Sequence, residues 1–196
     1  MSLITATAVA ALTLFLYAAW TDVRTMRIPN WVSLALIALW VVRVALAPAS
    51  SAAGDLWLHD LGLFAAVFAS LFLLWGFGLS GGIGAGDVKI ISAGVLWFGY
   101  DPSCFWFFAV MGLVGGVIGL AVLLFRVIDK RLMYWAPQLY IPFKRLTFFL
   151  VPAFFRNNGF PYGPAIAAGA VFATWIQLAV WLDLGSLAIL RGWGVL

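Results

Sequence analysis

The chain has seven acidic residues, all Asp with no Glu, beside a single histidine, His59, and a single cysteine, Cys104. Two of the acids stand apart. Asp22 follows the first apolar run, and Asp87 closes the glycine-rich string Ser80-Gly81-Gly82-Ile83-Gly84-Ala85-Gly86. Each lies within about a turn of an expected helix end. Two carboxylates brought close together cannot both ionise easily, so they share a proton. The ionised member can take a proton from water while the protonated member polarises a peptide carbonyl. That dyad hydrolyses amides without a covalent adduct, a metal or a cofactor. One cysteine leaves no internal disulfide and no Cys-based zinc ribbon.

Whether the two acids can meet depends on the elements that carry them. Of 196 residues, 65% are hydrophobic and 9% charged, against about 25% charged in a soluble domain. The mean hydropathy is +1.10. Lipid must be the main solvent, and spanning helices the main structure, because a helix satisfies its own backbone polar groups. Six apolar runs are read as spans: Leu3 to Trp20, Trp31 to Leu46, Leu61 to Leu79, Val88 to Gly99, Phe105 to Phe125 and Pro164 to Leu182. Pro29 and Asn30 form the start signal of the second. The expected fold is all-α, a polytopic integral membrane protein forming a single domain over residues 1–196. The first span lacks an A-x-A cleavage signature and reads as a retained helix.

Lys and Arg orient the spans. Arg24, Arg27, Lys89, Arg126, Lys130, Arg131, Lys144, Arg145 and Arg156 fall in the loops after spans one, three and five; Arg43 and Arg191 fall on the other side. Nine against two is a strong positive-inside bias. It puts both termini on the periplasmic side and Asp22, Asp87 and Asp129 on the cytoplasmic side. Asp55, Asp60, Asp101, Asp183 and His59 go to the outer side, which removes a His-based triad from consideration. The scattered basic residues read as topology signals, not as a nucleic-acid surface. Within the basic and aromatic segment Arg126 to Phe160, the apolar stretch Leu146 to Phe155 holds Pro152 and is too short to cross. It reads as interfacial or re-entrant.

Near Asp87, Gly84 and Gly86 strip away side-chain bulk, so bare backbone can approach an extended substrate. A helix start at Asp87 and the charge of Lys89 favour an ionised Asp87. The plainer readings are an N-cap for Asp87 and an interfacial residue balanced by Arg24 for Asp22.

The segment Asp22-Val23-Arg24-Thr25-Met26-Arg27-Ile28-Pro29-Asn30 resembles the D-x-R-x-x-x-I-P-N stretch of type IV prepilin peptidases. Gly84-Ala85-Gly86-Asp87-Val88-Lys89 is similar to their G-x-G-D-x-K motif, and Pro161-Tyr162-Gly163-Pro164-Ala165 to the proline-glycine motif that opens their last helix. The resemblance covers about residues 2 to 184. It implies an aspartic endopeptidase that removes the basic leader of pilin precursors after a glycine, at the cytoplasmic face of the bacterial inner membrane. Asp22 and Asp87 carry over as the catalytic pair. Arg24, Pro29, Asn30, Gly84, Gly86, Lys89, Pro161 and Gly163 carry over as supporting residues. The partners implied are a pilin precursor with a hydrophobic N-terminal helix and the bilayer.

Larger members of that family carry an extra cytoplasmic domain with paired C-x-x-C motifs and N-methyltransferase activity. This chain has no such cysteines and looks like the shorter branch serving tight-adherence (Tad, Flp-type) pili. Rival readings are a small ion-coupled transporter, built around a glycine-broken span with an Asp, and a non-catalytic membrane subunit of a secretion assembly. An intramembrane protease that cuts within a spanning helix is a nearer alternative.

Overall fold

The computed structural model describes residues 3–45, 53–78, 84–138 and 162–181. Six helices make up these residues: α1 (Leu3–Thr25), α2 (Asn30–Ala45), α3 (Ala53–Gly76), α4 (Ala85–Phe98), α5 (Pro102–Trp135) and α6 (Gly163–Trp181). α1, α3 and α5 contain apolar stretches long enough to cross a membrane, while α2 and α6 are shorter apolar helices. The described residues are all-α, and the membrane-length helices fit the expectation from composition. Its segment Leu146 to Phe155 and residue Pro161 lie outside the described residues.

Several helices run past the limits expected from sequence. α1 continues through Asp22 to Thr25, because nothing from Thr21 to Thr25 breaks a helix and both threonines return their hydroxyls to carbonyls of the preceding turn. It ends at Met26, which takes a left-handed φ of 54° while its N–H still donates to the Asp22 carbonyl at 2.8 Å. α3 starts at Ala53, so Asp60 lies on a helix and not in a loop. α5 runs on to Trp135. No proline falls between Pro102 at its start and Pro137 beyond its end. Its 34 residues make a rod of about 51 Å, well beyond a hydrocarbon core of roughly 30 Å.

The core is aromatic where α1, α4 and α5 meet. Phe15 stacks on Phe98 with ring centroids 6.1 Å apart, and Phe107 closes the trio at 5.1 Å from Phe98. Gly94 of α4 makes room for them: a Cβ there would stand 3.0 Å from the Phe107 ring and 3.3 Å from that of Phe15. α4 is buried from Asp87 to Phe98 apart from Lys89. It packs against α2 and α3, with α6 also in contact, while α6 packs mainly on α1 and α5.

α5 and α6 are antiparallel and very close. At Gly169 a Cβ would lie 2.5 Å from the Phe107 carbonyl oxygen and 3.1 Å from Met111 Cβ. Gly169→Ala is therefore expected to force the two helices apart and lower stability by about 1–3 kcal/mol. Gly112→Ala and Gly116→Ala, where nothing lies within 4 Å of the new carbon, should change it by no more than about 0.5 kcal/mol. Thermal unfolding in detergent compares the three.

Candidate active site

Three stretches far apart in sequence converge at the end of the bundle where α1 stops and α4 and α6 begin. The first holds Asp22 and the turn after it. The second is the opening turn of α4, and the third is the start of α6.

Asp22 is only 6% exposed. Its Oδ2 accepts the Gly163 N–H at 2.8 Å across 141 residues of sequence. Gly163 is the first residue of α6, so the carboxylate rests on the N–H groups of a helix start, where negative charge is stabilised. The residue there must be glycine. A Cβ would stand 2.7 Å from Asp22 Cβ and 3.0 Å from both Ala19 Cα and Asp22 Oδ2. Arg24 is not drawn to Asp22; its guanidinium lies 3.9 Å over the Trp20 ring.

Asp87 is 7% exposed. It does not open its helix. α4 starts at Ala85 with Gly84 as N-cap, and Asp87 is the third residue, reaching back so that its Oδ2 accepts the Gly84 N–H at 2.9 Å. No other hydrogen bond to either carboxylate forms among the described residues. Each acid thus ties down one oxygen and keeps Oδ1 for other work.

The loop between α1 and α2 clasps this turn. Ile28 packs on Gly86, where a Cβ would lie 3.3 Å from Ile28 Cβ. Lys89 Nζ donates to Asn30 Oδ1 at 2.9 Å. Pro29 precedes α2, and its carbonyl accepts the Val32 N–H at 3.1 Å. The bare face of Gly86, read from sequence as room for a substrate, is filled by Ile28 from within the chain.

Asp87 lies in the first turn of α4, at the end of the bundle, and its carboxyl is pushed up to about 6. Burial is the main cause, the Gly84 N–H works against it, and the charge of Asp22 adds to the rise. The sequence reading favoured Asp87 as the ionised member on the strength of its helix end and Lys89. Burial works against that charge, and Lys89 is engaged by Asn30.

The other described acids have different work. Asp60 sits at the opposite end, where Oδ1 accepts the Tyr100 N–H at 2.9 Å and Oδ2 faces Trp40 Nε1 at 3.4 Å. Asp101 caps α5 by accepting the Ser103 N–H at 2.8 Å. Asp129 lies on the far extension of α5. No group of three or more His, Cys, Asp or Glu side chains that could hold a metal ion comes together among the described residues. Sequence reasoning missed Ile28 as the residue that covers Gly86, and it did not find the Gly163–Asp22 contact itself.

Two nearly buried carboxylates thus stand at one end of an all-helical arrangement whose longest helices are apolar enough to cross a membrane. A model of the type IV leader peptidase family matches residues 9–120, more than half of the chain. The chain belongs to that family. Neither the curated proteins nor the solved structures give a match.

A buried carboxyl with a raised pKa costs stability once it ionises. The rise from 3.8 to about 6 corresponds to an upper limit on the order of 3 kcal/mol. The folded chain holds the proton more tightly than the unfolded chain, so this cost grows as pH rises from about 4 and is complete above about 6. Asp87→Asn, which keeps an acceptor for Gly84, is expected to raise the thermal midpoint at pH 7.5. That advantage should shrink when the same comparison is made at pH 5.

Proposed function

We propose that this protein is a membrane-embedded aspartic endopeptidase. It removes the basic leader from type IV or Flp-type pilin precursors, cutting after a glycine at the cytoplasmic face of the bacterial inner membrane. Membership of the leader peptidase family supplies the protease class. The observation that carries the assignment of residues is the pairing at one end of the bundle. Asp22 and Asp87 are both nearly buried, each is anchored through one oxygen to a backbone N–H at a helix start, and the charge of one acts on the other.

The chemistry follows from that arrangement. The pair works in its singly protonated form, in which Asp87, made easier to protonate by burial and by its neighbour, holds the shared proton. Asp22 takes a proton from a water molecule, and the resulting hydroxide attacks the scissile carbonyl carbon. Asp87 gives its proton to the carbonyl oxygen, forming a neutral tetrahedral diol. The proton collected by Asp22 passes to the amide nitrogen as the carbon–nitrogen bond breaks, and the diol returns a proton to Asp87 as the new carboxyl forms. Both acids end as they began.

Around the pair, the Lys89–Asn30 hydrogen bond and the Ile28–Gly86 contact fix the first turn of α4 against the segment that follows α1. Gly163 fixes the side chain of Asp22. We read the acid-bearing end as cytoplasmic, from the nine basic residues on that side. The helices then act as one peptidase domain of six spans, with both termini periplasmic. The hydrophobic helix of the precursor would lie in the bilayer, with its leader junction at the level of the acids.

Co-expression with a Flp-type prepilin tests the assignment. Asp22→Asn and Asp87→Asn should each slow processing by at least about 10²-fold while the protein still inserts. Gly163→Ala, which pushes on Asp22 from behind, should cost on the order of 10²-fold with both acids present. Full processing by either Asn variant would refute the dyad.

A further inference from the structure

Far from the acids, the interior of the bundle holds polar atoms with no partner. Ser103 Oγ, Thr174 Oγ1 and Gln177 Oε1 are buried and make no hydrogen bond among the described residues, on residues whose exposures are 0%, 2% and 2%. Leaving such a group unpaired costs about 1–3 kcal/mol, so three together call for an explanation.

The register of the helices sets the three within about a turn of one another. Gln177 Nε2 approaches the Phe98 carbonyl at 3.4 Å, which places this side chain against the last residue of α4. Thr174 is three residues earlier on α6, hence on the same face. Ser103 is in the first turn of α5, just beyond the tight turn at Gly99 to Asp101. The register of the antiparallel α5–α6 pair is fixed by Gly115 against Ala165, at 3.5 Å, and by Phe107 against Gly169. One turn from Phe107 toward the start of α5 is Ser103, and the same rise along α6 from Gly169 reaches Ala173, beside Thr174. A fourth unpartnered atom, Trp97 Nε1, belongs to a ring that faces Arg43 of α2 and is not counted here.

The chemistry of the set is specific. Neither hydroxyl uses the usual outlet of a helical Ser or Thr, a carbonyl one turn back. Ser103 sits too near the start of its helix to have a helical carbonyl there. Thr174 has the Ala170 carbonyl one turn back and makes no bond to it. Two hydroxyls can each donate and accept, while Gln177 Oε1 only accepts. A water molecule matches this pattern, with two protons to give and two lone pairs to receive, and buried waters take about three such bonds. A bare cation would engage the oxygens but leave both hydroxyl protons unplaced.

We propose that Ser103, Thr174 and Gln177 form an internal hydration site between α4, α5 and α6, in the half of the bundle opposite Asp22 and Asp87. The bound water links the first turn of α5 to the last turns of α6, with Gln177 also holding the end of α4. This site does not depend on the peptidase reading.

The test is a thermal melt of the full-length protein in detergent, comparing Thr174→Val with the parent. Valine keeps the shape of threonine and removes the hydroxyl. If water occupies the site, losing one of its partners should lower the midpoint by about 2–4 °C. A midpoint that is unchanged or higher means the oxygens are dry and the proposal fails. Radiolytic hydroxyl labelling gives an independent reading that needs no variant, because water trapped in a protein labels the side chains around it. Phe98 and Phe107, both buried, should be modified as readily as exposed phenylalanines such as Phe105. Protection in line with their burial would overturn the proposal.

Discussion

The arrangement depends on the shortness of α4. Its 14 residues span about 21 Å, less than a hydrocarbon layer of roughly 30 Å. A helix that stops inside or at the edge of lipid leaves four N–H and four C=O groups unpaired at its ends. Lipid supplies no partners for them, so the protein must. At the outer end, Gly99 turns back so that its N–H reaches the Val95 carbonyl. Arg43 Nη1 donates to the Trp97 carbonyl at 2.7 Å, and Gln177 reaches the Phe98 carbonyl. A cation at a helix C-terminus also complements the helix dipole. At the start of α4 the capping group is Asp87 itself.

That last point joins stability to chemistry. An acid in the first turn of a helix is ordinarily a surface feature, satisfied by its own backbone and by water. Here the same acid is nearly buried, so burial raises its pKa while the cap holds its position. Asp22 is treated in a parallel way by a different helix, since Gly163 at the start of α6 grips one of its oxygens. Two helix starts therefore act as clamps, one for each carboxylate. The aromatic trio of Phe15, Phe98 and Phe107 ties together α1, α4 and α5, and so fixes the helix that carries Asp22 relative to the one that carries Asp87.

Much of this was legible in the sequence, for identifiable reasons. Hydropathy located all six helices, because apolar runs separated by polar or glycine-rich stretches leave little alternative in lipid. Pro29 and Asn30 gave the start of α2. The charge count separated Asp22 and Asp87 from Asp60 and Asp101, which stand at opposite ends of the bundle. Helix ends were harder. The polar residues Thr21 to Thr25 look like a loop by hydropathy, yet they are sound helix formers once a helix is already running. The charges from Arg126 to Arg131 signal departure from lipid and not the end of α5. Arg43 looked like a stray topology charge and is instead a half-buried cap on the end of α4. The long-range contacts, Gly163 on Asp22 and Ile28 on Gly86, were invisible because no local pattern encodes a close approach between distant segments.

The central claim is spatial: residues 22 and 87 face one another at one end of the helices. Cross-linking in native membranes measures this directly. In a Cys104→Ala background, Asp22→Cys is combined with Asp87→Cys or, as a control, with Asp60→Cys, and a short bis-thiosulfonate reagent is added. The expected result is rapid linkage of positions 22 and 87 and none between 22 and 60. A 22–87 pair that links no faster than the control would contradict the account.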